Sequence, residues 1–185
     1  TPYFFNAGLF CDGASLRDLG RFYAQAFLAS GVAADHLFGP AYKGITLAAA
    51  TAIALAESGC NLPYSFNRKE AKDHGEGGSI VGHKLEGRVL IIDDVITDGA
   101  SKRESVEMIR AHGAEPAAVL IALDRMERGG TDDNLSKHSA VEDFVRAYRI
   151  PVVSIATLAD LMQVLGSSAD PALHAHFDAV KKYRD

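Results

Sequence analysis

The sequence predicts an α/β fold with a mainly parallel central sheet flanked by helices on both faces. Strand-like runs alternate with helical runs along the chain, and right-handed crossovers turn such an alternation into a parallel sheet. The segments VLII and AVLIAL are continuously apolar, as expected of central strands that are buried on both faces. The length of 185 residues fits one domain, so 1–185 is predicted to be a single unit.

The N-terminal third predicts two helices separated by a short strand. The first helix has Ser15 as its N-cap and Gly31 as its stop signal. The segment HLFGPAYKG is typical of a short strand that ends in a Gly-Pro turn, and it is followed by a helix over about 45–58.

The middle of the chain contains a segment without hydrophobic periodicity. LPYSFN (62–67) predicts a strand, whereas RKEAKDHGEGGSIVG (68–82) has many charges and four glycines and predicts a mobile loop. The remaining predicted elements are strand 88–93, a helix over about 99–112 closed by Gly113, strand 117–124, a polar stretch at 127–136, helix SAVEDFVRAYR, strand 151–156 and two C-terminal helices.

Composition excludes several classes of protein. A net charge of -5 provides no basic surface for nucleic acid, which is therefore not an expected partner. No apolar run is long enough to span a bilayer. Cys11 and Cys60 lack the spacing of a disulfide framework or a zinc site, so we expect two reduced thiols in a cytoplasmic protein. The chain opens TPYFFNAG, a strand-like aromatic run without Met, and we expect an N-terminal segment to be missing.

Charged side chains follow two of the predicted central strands. Asp93 and Asp94 come directly after VLII, and Asp124 and Arg125 end the next strand. Two adjacent carboxylates repel each other and are costly to bury unpaired. Open parallel sheets bind ligands at the carboxyl ends of their strands, so these residues predict a site at that edge.

The segment TDGAS (97–101) connects this strand to the following helix. Backbone N–H groups and small hydroxyls at a helix N-terminus bind phosphate. Carboxylates beside it can accept hydrogen bonds from sugar hydroxyls or from the waters of magnesium, which suggests a phosphorylated sugar as ligand. The alternative, commoner for an isolated acidic pair, is that Asp94 caps the turn and Asp93 forms an ordinary ion pair. The loop does not match GxGxxG, and no GxxxxGK[ST] occurs.

The whole segment RVLIIDDVITDGAS resembles the 13-residue phosphoribosyl pyrophosphate signature of type I phosphoribosyltransferases. PYFFNAG, FGPAYKGI, FNRKEAKDHGEGG, LDRMERG and YRIPVVSIATLADL extend a resemblance to orotate phosphoribosyltransferases over nearly the whole chain. The resemblance implies the type I phosphoribosyltransferase fold with a small hood region. It also implies transfer of the 5-phosphoribosyl group to orotate in UMP biosynthesis, with Mg2+ as cofactor and a homodimer whose active sites are shared between subunits.

The resemblance further implies roles for individual residues. Lys72 and Asp94 would be catalytic, and magnesium would be held by the substrate and water rather than by side chains. The phosphoribosyl pyrophosphate set would be Tyr42, Lys43, Arg68, Lys69, Lys72, His74, Asp93, Asp94, Val95, Ile96, Thr97, Asp98, Gly99, Ala100 and Ser101. The orotate set would be Phe4, Phe5, Thr97 and Arg125.

Two features depart from the family pattern. Asp98 stands in the phosphate loop, where such enzymes usually carry a small or neutral residue, and its carboxylate would repel the 5′-phosphate unless it points outward. The family also has a helix and a strand with a substrate-contacting lysine ahead of PYFFNAG, which this sequence lacks.

Simpler interpretations and two rival functions remain open. Arg125 would otherwise pair with a neighbour such as Glu127, Lys43 would be solvated, and the charged loop would be a linker. A phosphoribosyltransferase for another base is disfavoured by the charged glycine loop and by Arg125. A regulator that senses phosphoribosyl pyrophosphate is disfavoured by the negative charge and the lack of a basic helix-turn-helix.

Overall fold

The computed structural model describes residues 3–72, 78–97, 100–131 and 134–184. Its helices are α1 (Gly13–Ser30), α2 (Lys43–Glu57), α3 (Ala100–Ala111), α4 (Ala140–Tyr148), α5 (Leu158–Ser167) and α6 (Pro171–Arg184). Its strands are β1 (His36–Gly39), β2 (Tyr64–Lys72), β3 (Gly78–Gly82), β4 (Arg88–Asp93), β5 (Glu115–Asp124), β6 (Arg128–Thr131), β7 (Asn134–Ser139) and β8 (Val152–Thr157). Within this part of the chain, no helix is long and apolar enough to cross a membrane.

The main sheet confirms the predicted α/β fold. Its strand order is β3-β2-β1-β4-β5-β8, and a separate two-stranded sheet joins β6 to β7. The pairs β2–β1, β1–β4, β4–β5 and β5–β8 are parallel, and β2–β3 is antiparallel. β4 therefore lies in the interior of the sheet, and its carboxyl end opens on the edge where a ligand is expected.

Strand β4 is buried on both faces because its apolar residues alternate between two cores. Leu90 and Ile92 lie in the cluster that packs against α1 and α2, whereas Val89 and Ile91 lie in the cluster that packs against α3 and α4. All four side chains are fully inaccessible to solvent. The same alternation sets the direction of the two aspartates that follow.

Helix α1 begins earlier than predicted. Its N-cap is Asp12, whose carboxylate accepts a hydrogen bond from the Ser15 amide at 2.8 Å. Asp and Ser are comparable N-caps, so helix propensity alone does not decide between Asp12 and Ser15. The predicted stop is confirmed, since Gly31 adopts a left-handed conformation with φ of 70°.

The loop predicted over 68–82 is wrong in its described part. β2 continues through Arg68 and Lys69 to Lys72 and pairs with β3, with Phe66 opposite Val81 and residues 73–77 outside the described residues. β3 is the edge strand of the main sheet, and among the described residues β2 beyond Phe66 is paired with β3 alone, so both segments tolerate charged side chains and hydrophobic periodicity does not reveal them.

Two other expectations are corrected in the same way. The polar stretch at 127–136 enters the antiparallel pair β6–β7, in which Gly130 lies opposite Leu135. The aromatic run near the N-terminus is not a strand in the described residues, because Asn6 instead caps a short 3-10 helix over Ala7–Leu9.

Helices α1 and α2 pack closely through a glycine. A Cβ atom on Gly20 would lie 2.6 Å from the carbonyl oxygen of Ala50, a backbone atom that cannot rotate away. Gly13, in the first turn of the same helix, has open space around the equivalent position.

We expect Gly20→Ala to lower the free energy of unfolding by about 1–3 kcal/mol, because the methyl group forces the helices apart. Gly13→Ala is the matched control and should be neutral or stabilising by up to about 1 kcal/mol, the gain in helix propensity. Urea unfolding followed by circular dichroism measures both. Equal stability of the two variants would contradict the close packing of α1 on α2.

Candidate active site

The backbone of the acidic pair is held at the carboxyl end of β4 by hydrogen bonds from two other elements. The Tyr23 hydroxyl of α1 donates to the carbonyl oxygen of Asp93 at 2.8 Å, and it is buried. The amide of Ala122 in β5 donates to the carbonyl oxygen of Asp94 at 2.9 Å. Burial raises the pKa of the Tyr23 phenol, so it stays a neutral donor.

Each aspartate uses one carboxylate oxygen for the backbone and the other for a lysine. Asp93 accepts from the amide of Asp94 at 2.9 Å and from Lys102 Nζ at 2.5 Å. Asp94 accepts from the amide of Val95 at 2.9 Å and from Lys43 Nζ at 2.6 Å. The contacts match the alternative interpretation of the pair: Asp94 caps the turn through the Val95 amide, and Asp93 forms an ion pair with Lys102. The two lysines come from different helices, however, which makes the pair a junction of three elements.

Lys102 is a site residue that the sequence interpretation missed. It is buried on α3, and with Val106 and Ile109 it shares the i, i+4, i+7 face that packs on the sheet. A lysine on an apolar helical face is the signal that could have revealed it. Burial raises the pKa of Asp93, and the charge and hydrogen bond of Lys102 oppose that rise.

The turn between β1 and α2 packs directly against the end of β4. A Cβ atom on Gly44 would lie 2.7 Å from the carbonyl oxygen of Ile92, so the close approach requires glycine. The Ala41–Tyr42 peptide bond is cis. The amide of Ala41 donates to Asn67 Oδ1 on β2 at 2.8 Å.

Side chains from this turn and from β2 converge in front of the sheet edge. Lys69 Nζ lies 4.8 Å from the centre of the Tyr42 ring, which is 68% exposed. Lys43, the first residue of α2, places its ammonium on Asp94. The structure thus brings the predicted residues Tyr42, Lys43 and Lys69 to one place beside the acidic pair.

The predicted phosphate loop leads into the N-terminus of α3. Val95 is half-buried, Ile96 is buried and Thr97 is exposed, and α3 begins at Ala100 with Ser101 exposed in its first turn. A helix N-terminus offers backbone N–H groups to an anion. Some predicted site residues lie outside the described part of the chain. They are His74, Asp98 and Gly99, together with the side chains of Lys72 and Ala100.

Arg125 directly follows strand β5 and forms the ion pair that the sequence offered as an alternative. Its guanidinium lies 2.9 Å from Glu127, and the two side chains are only 15% and 18% exposed. Arg125 Nε and Glu127 Oε1 are buried without a hydrogen-bond partner among the described residues. Buried polar atoms are usually satisfied, so this arrangement leaves donor capacity for a ligand.

Phe4 and Phe5 lie close to the carboxyl end of β5. They line an apolar cavity of about 470 Å³, to which Phe10, Leu123 and Ile155 also contribute, and neither Thr97 nor Arg125 lines it. Phe5 stacks on Phe10 with ring centres 5.6 Å apart, while Phe4 is 70% exposed. The structure does not bring the four predicted orotate residues into one cavity.

Comparisons with known proteins identify the family of this chain. The phosphoribosyl transferase domain model matches residues 12–158. Orotate phosphoribosyltransferase of Cupriavidus necator is 63% identical over 184 residues, covering 100% of this chain and 81% of that protein. The enzyme of Bordetella bronchiseptica is 65% identical over 188 residues, with coverage of 100% and 83%.

A solved structure leads to the same family. The crystal structure of orotate phosphoribosyltransferase from Francisella tularensis has a TM-score of 0.84 and 38% identity, and the match covers 100% of this chain and 85% of that one. Its identity is high enough to carry more than a shared fold. Because the domain model, the sequence relatives and this structure agree along the chain, the protein belongs to the orotate phosphoribosyltransferase family.

Proposed function

We propose that the chain transfers the 5-phosphoribosyl group from phosphoribosyl pyrophosphate to orotate, giving orotidine 5′-monophosphate and pyrophosphate in UMP biosynthesis. The observation that carries this proposal is the meeting of three parts at the carboxyl edge of the sheet. They are the acidic pair after β4, the N-terminus of α3 and the turn that bears Lys43. Full-length identity of 63% to a named orotate phosphoribosyltransferase supports orotate as the acceptor.

The reaction requires positioning more than covalent help. A ring nitrogen of orotate attacks the anomeric carbon as pyrophosphate leaves, through an oxocarbenium-like transition state comparable to that of glycosyl transfer. Asp93 and Asp94 form the ribose side of the site, and the negative charge of Asp94 stabilises the developing positive charge. Thr97 to Ser101 bind the 5′-phosphate through backbone N–H groups.

The ion pair between Lys43 and Asp94 suggests how the site responds to its substrate. The Lys43 side chain is 59% exposed, so it can leave the carboxylate at little cost in desolvation. The leaving pyrophosphate carries more negative charge than the Asp94 carboxylate, and we expect it to lie beside the turn that bears Lys43. Ribose hydroxyls then take the place of Lys43 on Asp94, and Lys43 neutralises the pyrophosphate together with Lys69 and Arg68.

The donor set fits a magnesium ion that is held mainly by substrate. Mg2+ keeps several waters and takes one or two carboxylates plus phosphate oxygens. Among the described residues, no group of three or more His, Cys, Asp and Glu could hold a metal ion. The phosphate oxygens of the substrate and water would hold the magnesium. When bound, the ion neutralises charge on the pyrophosphate.

The remaining parts of the proposal extend beyond the single chain. We propose Lys72, the last residue of β2, as the catalytic lysine, and we propose that the segment from Lys72 through His74 closes over the site of a partner subunit in a homodimer. Residues 1–185 form one domain. Cys11 and Cys60 are both free thiols, which fits a cytoplasmic location.

The proposed reaction is tested by pyrophosphate release with orotate, uracil and adenine as acceptors. We expect release with orotate and at least about a hundred-fold lower kcat/KM with uracil, which lacks the carboxylate that a buried arginine can bind. Preference for adenine would instead identify a phosphoribosyltransferase of a different base. No release with any base would contradict the proposed function.

The role of Arg125 is tested by Arg125→Ala. Loss of the guanidinium leaves the orotate carboxylate unpaired, so orotate binding should weaken by about 2–5 kcal/mol while phosphoribosyl pyrophosphate binding changes little. Arg128→Ala is the control, because Arg128 is exposed and its Nε donates to the Ser136 carbonyl. Titration calorimetry with each substrate measures the difference. Equal loss for both substrates would remove Arg125 from the orotate site.

Sharing of active sites between subunits is tested with mixed dimers of Lys72→Ala and Asp94→Asn. If the loop of one chain serves its partner, a mixed dimer has one site with both lesions and one intact site. Random reassortment makes about half of the dimers mixed, so co-refolded variants should recover roughly a quarter of wild-type activity. Activity no higher than the mean of the two variants alone, with mixed dimers verified, would place Lys72 in its own chain's site.

A further inference from the structure

The two lysines that neutralise the acidic pair have very different surroundings. The side chains of Lys43 and Asp94 are 59% and 7% exposed. The side chains of Lys102 and Asp93 are 6% and 9% exposed. One carboxylate is thus covered by a cation that reaches into solvent, and the other by a cation that is itself buried.

The difference follows from the alternation of side chains along β4. Val89 and Ile91 face the core under α3, and Asp93 continues that face and meets Lys102 of α3. Ile92 faces the core under α2, and Asp94 meets Lys43 of α2. Adjacent carboxylates therefore point to opposite faces of the sheet and do not share a cation.

Lys102 cannot leave Asp93 as Lys43 can leave Asp94. Its neighbours on the same helical face, Val106 and Ile109, are fully buried against β4 and β5. Both carboxylates are buried, so the difference lies in the lysines: the Lys43 side chain already reaches solvent, whereas Lys102 could leave Asp93 only by moving out of the packed face of α3. The pair also holds the loop, because Asp93 Oδ1 accepts the amide of Asp94 at 2.9 Å.

We propose that Lys102 is a positioning residue for the transfer reaction. It keeps Asp93 ionised and turned into the fold, and so holds Asp94 as the carboxylate that exchanges Lys43 for the ribose of the substrate. This role rests on the proposed function. Lys102 itself contacts neither the substrate nor the reacting atoms.

The charge of Lys102 has a consequence that its volume does not have. The ionisable groups that face Asp93 in the described part of the chain are Lys102 from α3, the adjacent Asp94 and Tyr23 from α1. Burial and Asp94 raise the pKa of Asp93, and Lys102 opposes both effects. A carboxyl group whose pKa is higher in the folded state than in the unfolded state stabilises the fold at low pH. That stabilisation is lost as the pH rises from the unfolded-state pKa, near 4, through the folded-state pKa.

Two variants separate charge from packing. Lys102→Met keeps the length and apolar volume and removes the charge, whereas Lys102→Arg keeps the charge and disturbs the packing. For Lys102→Met we expect the acid limb of the pH profile of kcat/KM to move up by about one unit or more, because Asp93 retains its proton. Its Tm should fall by about 10 °C at pH 8 and by much less at pH 4.5. Lys102→Arg should keep the wild-type acid limb, whatever its Tm.

Lys182→Met, on the exposed side of α6, controls for the loss of any one lysine and should leave Tm and its pH dependence unchanged. A wild-type acid limb for Lys102→Met with a Tm deficit independent of pH would show that Lys102 only fills space and would overturn the proposal. So would an acid limb shifted equally in Lys102→Arg.

A third variant covers the case in which Lys102→Met does not fold. The double variant Asp93→Asn/Lys102→Met replaces the ion pair by two neutral groups, and it should regain most of the lost Tm at pH 8. Failure of the double variant to regain stability would mean that charge is not the cause. If the wild-type chain releases no pyrophosphate, the proposed function fails, and the pH dependence of Tm still tests the ion pair.

Discussion

The burial of two adjacent carboxylates at the end of a central strand is the constraint on which the site depends. Taken as whole residues, Asp93 and Asp94 are only 7% and 5% exposed. Burying two charged carboxylates this deeply without partners would cost too much free energy. The strand resolves the conflict by sending them to opposite faces, where α3 supplies Lys102 and α2 supplies Lys43. The pair therefore ties both helical layers to the sheet edge at which substrate binding is proposed.

Other features of the site follow from this junction. Helix α2 must begin within reach of Asp94, and Gly44 allows the turn to approach the carbonyl oxygen of Ile92. The same turn is tied to β2 by the hydrogen bond from Ala41 to Asn67. The turn that carries Lys43 therefore contacts both the acidic pair and strand β2, whose last residue is Lys72. Positioning on rigid elements is what a transfer reaction with little covalent chemistry needs.

Some elements were predictable and others were not, for identifiable reasons. Strands β4 and β5 are predictable because both of their faces are apolar. The end of α1 is predictable because Gly31 readily adopts the left-handed backbone conformation. Residues 68–82 were predicted as a mobile loop and 127–136 as a polar stretch, whereas their described parts enter the pairs β2–β3 and β6–β7. Backbone pairing stabilises such polar strands and leaves no hydrophobic pattern. Lys102 was not predicted as a site residue because its partner Asp93 lies on another element, although Lys102 shares a helical face with apolar residues.

The sequence by itself determined the α/β fold, the position of the acidic pair after β4 and the family resemblance, because these depend on short-range pattern and on a contiguous motif. Only the tertiary structure decided which cation meets each carboxylate, that Arg125 pairs with Glu127, and that Phe4 and Phe5 line a cavity together with Leu123 and Ile155. These facts depend on contacts between residues far apart in the chain. Such contacts are set by how the helices pack on the sheet rather than by local sequence.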